Sequence, residues 1–226
     1  MTEYVLSIDP GVSTGIALLS FEEDSPAELV QGWQFTGGVA ALKQWREEHW
    51  RDAYFDSEWG YKFGSAFYLK RFGAPLYAET IFEERYNPDT DEDEEVETET
   101  KILTVICEKF TARSTSGFSY TTASLEPLRC EGALIDRDIM PDYSAAEKRW
   151  RDPKYQYLVG GKDKADKKKR MHSFLKDNGF YRTGRDLGAA DADDARSAMA
   201  HGIVYIAREL KHKPTFGMIA NWEGSL

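Results

Sequence analysis

The chain has 226 residues, of which 41% are hydrophobic and 30% charged, a size and composition that suit one globular domain. Its mean hydropathy is −0.58, and no apolar run approaches the roughly 20 residues that span a bilayer. Only two cysteines occur, and the N-terminus lacks the pattern of a secretory signal. These features exclude membrane-spanning and disulfide-stapled proteins, and they predict a cytoplasmic protein with no membrane partner.

The net charge of −10 is unevenly distributed along the chain. Residues 87–100 hold eight acidic side chains and no basic one, so the rest of the chain carries only −2. Residues 154–170 hold seven basic side chains against two acidic ones, a local charge of +5. Because phosphate binding depends on local basic patches, the overall charge does not exclude a nucleic-acid partner. We expect the acidic segment to be a solvated loop, whereas the basic segment fits both a solvated face and a phosphate-binding loop.

Apolar periodicity and turn residues predict one α/β domain over residues 1–226 with a mixed sheet. The aromatic stretch 59–73 follows no clear pattern. The predicted elements are, in chain order, the antiparallel strands Tyr4–Ile8, Gly15–Ser20 and Leu29–Phe35, a helix from Val39 to about Tyr54, a strand over Ala74–Glu79, a helix through Ile102, Val105, Ile106 and Phe110, a strand within Glu126–Ile135, and a final helix from about Ala189 to Leu210.

Acidic residues stand where predicted elements end or begin. Asp9 follows the first strand, Glu79 ends the fourth, and Asp191, Asp193 and Asp194 open the last helix. Asp191 and Asp194 are three residues apart and would share a helix face. Taken singly, Asp9 suits a turn and the helix acids suit the helix dipole.

Together these acids favour a metal site. If the first and fourth strands are parallel neighbours, their carboxylates meet the helix acids at one edge of the sheet. Such a cluster would repel itself unless cations neutralise it, and oxygen ligands are what Mg²⁺ and Mn²⁺ prefer. Two such ions about 4 Å apart would clamp a phosphodiester for in-line attack.

Three motifs resemble, in the same order, those of RuvC-like Holliday-junction resolvases in the RNase H-like superfamily. The matching stretches are Ile8–Ala17, which contains Asp9-Pro10-Gly11, then Tyr77–Phe82, and Ala190–His201. The resemblance frames the chain from Tyr4 to about Leu210. It implies an RNase H-like mixed five-stranded sheet with helices on both faces, and it marks residues 59–73 and 87–100 as insertions.

The resemblance also implies roles for individual residues. Asp9, Glu79, Asp191 and Asp194 would be the catalytic acids and would bind two Mg²⁺ ions, for which Mn²⁺ would substitute. Phe82 would stack on an unpaired base, with a core position as its alternative, and Lys167 is the best match to the family's functional lysine. The expected DNA-binding residues are Phe82, Lys162, Lys164, Lys167, Lys168, Lys169 and Arg170.

Three functional hypotheses follow. The first is a magnesium-dependent, structure-selective endodeoxyribonuclease that resolves branched DNA such as four-way junctions, flaps or forks. Because a four-way junction is two-fold symmetric, this enzyme would be a homodimer. The second is an actin-like ATPase or sugar-kinase-type phosphotransferase, but those chains usually duplicate the domain and 226 residues leave no room for two copies. The third is a catalytically silent nucleic-acid-binding module, against which the carboxylates argue.

Overall fold

The computed structural model describes residues 1–57, 60–72, 75–77, 81–88, 90–99, 102–107, 122–135 and 160–224. No helix in these ranges is long and apolar enough to cross a membrane. The strands are β1 Glu3–Asp9, β2 Ser13–Glu22, β3 Ser25–Thr36, β4 Trp50–Ser57, β5 Gly60–Phe67, β6 Leu76–Tyr77, β7 Ile81–Asn87, β8 Glu92–Glu99 and β9 Leu103–Cys107. The helices are α1 Gly38–His49, α2 Thr122–Ile135, α3 Lys164–Asp177, α4 Gly184–Leu187, α5 Asp193–Val204, which continues as a π-helix over Tyr205–Glu209, and α6 Lys213–Gly224.

A four-stranded mixed sheet in the order β3-β2-β1-β9 forms the centre of the fold. β1, β2 and β3 pair antiparallel, and β9 lies parallel to β1. The turn between β1 and β2 is closed by the Thr14 hydroxyl, which donates to the Gly11 carbonyl at 3.1 Å and accepts the Gly11 N–H at 3.3 Å. The three predicted N-terminal strands and the mixed α/β architecture are therefore confirmed.

Both faces of this sheet are buried under helices. Successive side chains of a strand point to opposite sides, so neighbouring residues of one strand belong to two different cores. Val5 and Ile106 belong to the core that includes α5 and α3. Leu6 and Ile8 belong to the opposite core, which includes residues of α1 and α2. The predicted covering of both faces by helices is confirmed.

The start of α5 lies directly against β2. A Cβ atom on Gly15 would stand 2.0 Å from the carbonyl carbon of Asp194. Farther along the helix, a Cβ atom on Gly202 would stand 3.2 Å from the Ser7 Cβ atom. Because Gly15 pairs with Asp9 in the sheet, this close approach brings the first turn of α5 over the end of β1.

The strand next to β1 differs from the predicted one. Residues 103–107, predicted as helix, form β9, because a short apolar run fits a buried strand as well as a helix and its β-branched residues favour the strand. The predicted strand Ala74–Glu79 is reduced, within the described residues, to β6, which pairs antiparallel with β5 and not with β1. A fifth strand of the central sheet is not found in the described ranges.

Two further elements differ from the prediction. Residues 126–135, predicted as strand, belong to α2, whose Pro127 and Gly132 oppose helix propensity while its Cys130 and Leu134 pack into the core. The helix predicted to reach about Tyr54 ends at His49, where β4 follows. Packing against the sheet thus overrides local propensity in α2.

Each of the segments expected to be insertions, 59–73 and 87–100, supplies one strand of a hairpin outside the central sheet. β4 pairs with β5, and β7 pairs with β8. The acidic segment, predicted as a loop, supplies β8, and the turn before it is closed by the Thr90 and Asp91 N–H groups, which donate to the Asn87 carbonyl. Asp91 lies there at a φ of 58°, a conformation that aspartate tolerates better than most residues.

The contact at Gly15 predicts a large cost for a single methyl group. Gly15→Ala should lower the free energy of unfolding by about 3 kcal/mol, because backbone atoms of Asp194 occupy the required space and overpacking of a filled site costs energy. Gly132→Ala in α2, where a Cβ atom would meet nothing within 4 Å, should be neutral or stabilising by up to about 1 kcal/mol. Urea unfolding measures both. Equal stability of the two variants would contradict the close packing of α5 on β2.

Candidate functional site

Asp9 is the last residue of β1 and is partly exposed. Residues directly opposite each other in an antiparallel pair project to the same side of the sheet, so Asp9 shares the face of its partner Gly15. That face lies under the start of α5. The end of β1, which carries Asp9, and the start of α5, which carries Asp194, therefore lie on the same face at one edge of the sheet.

Asp191 precedes α5 rather than lying on it, so it does not share a helix face with Asp194 as predicted. Its position is fixed instead by Gln34 of β3, a buried residue. The Gln34 side-chain amide donates to the Asp191 carboxylate at 2.5 Å, and its carbonyl oxygen accepts the Ala195 N–H at 2.9 Å. One glutamine thus orients Asp191 and satisfies a backbone donor in the first turn of α5, a role that the sequence analysis missed.

Asp194 lies in the first turn of α5 and is partly buried. Burial raises the pKa of its carboxyl group, a hydrogen bond with Ser13 lowers it, and the charges of Asp191 and Asp193 raise it further. The two neighbouring carboxylates therefore repel the ionised form of Asp194. A cation bound at this edge would relieve that repulsion.

Asp193 is engaged with two basic side chains. Its carboxylate accepts a hydrogen bond from the Lys168 ammonium group at 2.9 Å and another from the Arg196 guanidinium group. These two bonds lower the pKa of Asp193 to about 2. Asp193 is thus an ionised carboxylate paired with two cationic side chains, whereas the pKa of its neighbour Asp194 is raised.

The basic segment forms a helix from Lys164 onward, where the resemblance implied a loop. The Asp163 carboxylate caps α3 by accepting the Asp166 N–H at 2.9 Å. Arg170 lies 5.9 Å from the Trp222 ring and so faces α6 rather than the acids, whereas Lys168 reaches the acidic cluster. The remaining predicted lysines are Lys162 in the loop before α3 and Lys164, Lys167 and Lys169 on α3.

Two predicted site residues are not placed at this edge. Glu79 lies outside the described residues. The backbone of Phe82 lies in β7 opposite Glu97 of β8, a hairpin that does not pair with the central sheet. The metal-binding role of Glu79 and the base-stacking role of Phe82 stay predictions.

The described carboxylates fit Mg²⁺ or Mn²⁺ in type, but they do not lie close enough to form a metal site by themselves. Asp9, Asp191 and Asp194 offer only oxygen donors, which both ions prefer. However, no group of three or more His, Cys, Asp or Glu close enough to hold a metal ion occurs in the ranges that the structure describes. A metal site here needs a further carboxylate.

The sequence offers such a carboxylate directly after β9. Ile8 pairs with Cys107 across the parallel strands, Asp9 follows Ile8, and Glu108 follows Cys107 in the sequence. Glu108 itself lies outside the described residues. The signal that singled out Glu79, an acid after a short apolar strand, also singles out Glu108, but it was missed because residues 103–107 were assigned to a helix.

The hydrogen bonds of Gln34 with Asp191 and Ala195 generate a stability prediction. Gln34→Ala should lower the free energy of unfolding by about 1–3 kcal/mol, because it leaves the buried Ala195 N–H without an acceptor. Gln31→Ala, in the same strand and partly exposed, should change it by less than about 0.5 kcal/mol. Urea unfolding of the two variants measures the difference. Equal losses of stability would contradict the structural role of the Gln34 hydrogen bonds.

A second substitution at the same position tests the charge at the site. Gln34→Glu keeps the acceptor for Ala195 but places a second carboxylate against Asp191. Because like charges raise each other's pKa, the variant should lose stability relative to the parent as the pH rises from about 4 to about 7, where both groups ionise. A pH-independent difference between variant and parent would mean that Asp191 lies farther away.

Comparison with known proteins found no match. No family model matches the chain, and neither a curated protein nor a solved structure matches it.

Proposed function

We propose that this protein is a metal-dependent, structure-selective endodeoxyribonuclease that cuts branched DNA, of the RuvC-like type that its motifs resemble. The observation that carries the proposal is the packing of α5 on Gly15. It brings the start of α5, which carries Asp194, over the end of β1, where Asp9 stands, and this supports a site built from the first and last motifs. Carboxylates brought together from distant parts of the chain favour a cation site over separate turn and capping roles.

We further propose Glu108, rather than Glu79, as the fourth carboxylate. In β9, Ile106 belongs to the core on the α5 side of the sheet, whereas Val105 and Cys107 belong to the opposite core. By the two-residue period of a strand, one further strand residue after Cys107 would project to the α5 side. Asp9 is on the same side, one residue beyond the paired Ile8 and Cys107.

In such a site, some residues of the chain would bind the metal ions and others would orient these ligands. Two Mg²⁺ ions held by the carboxylates would stabilise the charge that develops during in-line displacement at phosphorus. Gln34 orients Asp191, and Ser13 forms a hydrogen bond with Asp194, so both carboxylates are held before substrate arrives. Preorganised ligands of this kind lower the cost of assembling the transition state.

The proposed partner is DNA with a branch, bound by a homodimer. The ammonium group of Lys168 stands beside the acids, and the neighbouring lysines of α3 add positive charge for the phosphate backbone. A four-way junction is two-fold symmetric, which suits two active sites in a symmetric dimer. The preference for junctions over flaps or forks rests on the motif resemblance.

The substrate class is tested by a cleavage panel. Four-way junction, flap, linear duplex and RNA–DNA hybrid are each incubated with Mg²⁺ and with EDTA. We expect cleavage of the junction that requires Mg²⁺, with little cleavage of the linear duplex. Cleavage of the hybrid alone would indicate a ribonuclease, and the absence of cleavage of every substrate would contradict the proposed function.

Matched acid-to-amide variants test the assignment of the carboxylates. Asp9→Asn and Glu108→Gln should each abolish junction cleavage, because each removes a proposed metal ligand, while junction binding in EDTA stays equal or becomes tighter as negative charge is lost. Glu79→Gln is the control with the same chemical change and should retain cleavage. An inactive Glu79→Gln beside an active Glu108→Gln would restore the original assignment.

A further inference from the structure

Asp193 differs from the other acids at the start of α5 because both of its carboxylate oxygens are occupied. Oδ2 accepts from the Lys168 ammonium group at 2.9 Å, and Oδ1 accepts from the Arg196 guanidinium group. These two cationic side chains already neutralise the charge of Asp193, which makes it a poorer metal ligand than Asp191 or Asp194. The role of Asp193 therefore depends on the two side chains that it binds, Lys168 and Arg196.

Arg196 is held in a fixed position beside Asp193. Arg196 is buried, with an exposed fraction of 8%, and donates to the Arg182 carbonyl at 2.9 Å. Its guanidinium carbon lies 4.9 Å from the centre of the Tyr181 ring. Packing and hydrogen bonds thus hold the arginine on one side of Asp193, and the carboxylate presents its other oxygen to Lys168.

Lys168 is exposed to solvent, with 48% of its side chain accessible, whereas Arg196 is buried. An ammonium group has three donors, and Asp193 takes one of them. Burial raises the pKa of Asp194, and the charge of Lys168 is among the influences that oppose this rise, so Lys168 lies within electrostatic reach of a proposed metal ligand. Lys168 also lines a groove of about 470 Å³ along α3, together with Lys169, His172 and Lys176.

Building on the proposed function, we propose that Asp193 is a positioning residue: it holds Lys168 beside the catalytic carboxylates, where the ammonium group contacts the DNA phosphate next to the one that is cut. The groove along α3 continues from that point and carries the flanking strand past Lys169 and Lys176. Asp193 itself contacts neither metal nor DNA.

A simple ion pair between α3 and α5 is the competing explanation. Exposed ion pairs contribute little to stability, so both explanations predict small changes in thermal stability for Asp193→Asn. They differ in the kinetics. Removal of a negative charge beside DNA should by itself tighten binding and leave cleavage intact, whereas loss of a positioned lysine should slow cleavage although the charge has become more favourable.

The test is a double-mutant cycle on junction cleavage with Asp193→Asn, Lys168→Gln and the double variant. Each single variant should lower kcat by about 10-fold to 100-fold, the cost of a misplaced contact, and the double variant should lose no more than the worse single variant. Junction affinity in EDTA should stay equal or rise for Asp193→Asn and fall for Lys168→Gln. Lys168→Arg, which keeps the charge, should recover part of the lost rate.

Two controls carry the same charge changes elsewhere on the surface. Asp24→Asn lies in the exposed turn at the far end of β2, and Lys43→Gln lies on α1 across the sheet, so both should match the parent chain. Losses that multiply in the double variant, or an unchanged kcat for Asp193→Asn, would overturn the positioning role while cleavage by the parent chain leaves the proposed function standing. If the parent chain neither binds nor cleaves the junction, both proposals fall.

Discussion

The close contact between α5 and Gly15 is the constraint on which the rest of the site depends. Only a residue without a side chain leaves room for the helix backbone at Asp194. Gly15 is also the partner of Asp9 in the sheet, so the same contact that packs the helix sets the separation of the first and last acidic motifs. A larger residue at position 15 would move α5 away and separate the carboxylates without altering any of them.

Around this contact, neighbouring acids have different electrostatic surroundings. Asp193 is paired with Lys168 and Arg196 and has a low pKa, whereas Asp194 is partly buried beside other carboxylates and has a raised pKa. Asp191 precedes α5 and is held by Gln34. A run of three acids in the sequence therefore separates, in the fold, into one residue that binds cationic side chains and two that remain available to a metal ion.

Sequence patterns predicted the parts of the fold that have strong local signals. The first three strands are runs rich in apolar residues with turn residues between them, and the helix that carries Asp194 has a long apolar stripe. Both features were therefore predicted. β9 was not, because a short, largely apolar run fits helix and strand equally well, and Glu108, the acid that follows it, was therefore not considered beside Glu79. The contacts of Gln34 and Lys168 join residues far apart in the sequence, and no local pattern reports such contacts.

The central claim, that the ends of β1 and β9 and the start of α5 form a metal site, is tested most directly by metal binding without DNA. Isothermal titration with Mn²⁺ should detect two bound ions in the parent chain. Glu108→Gln should lose at least one of them, and Glu79→Gln should bind as the parent does. Equal Mn²⁺ binding by the parent and Glu108→Gln, or a loss confined to Glu79→Gln, would contradict the claim.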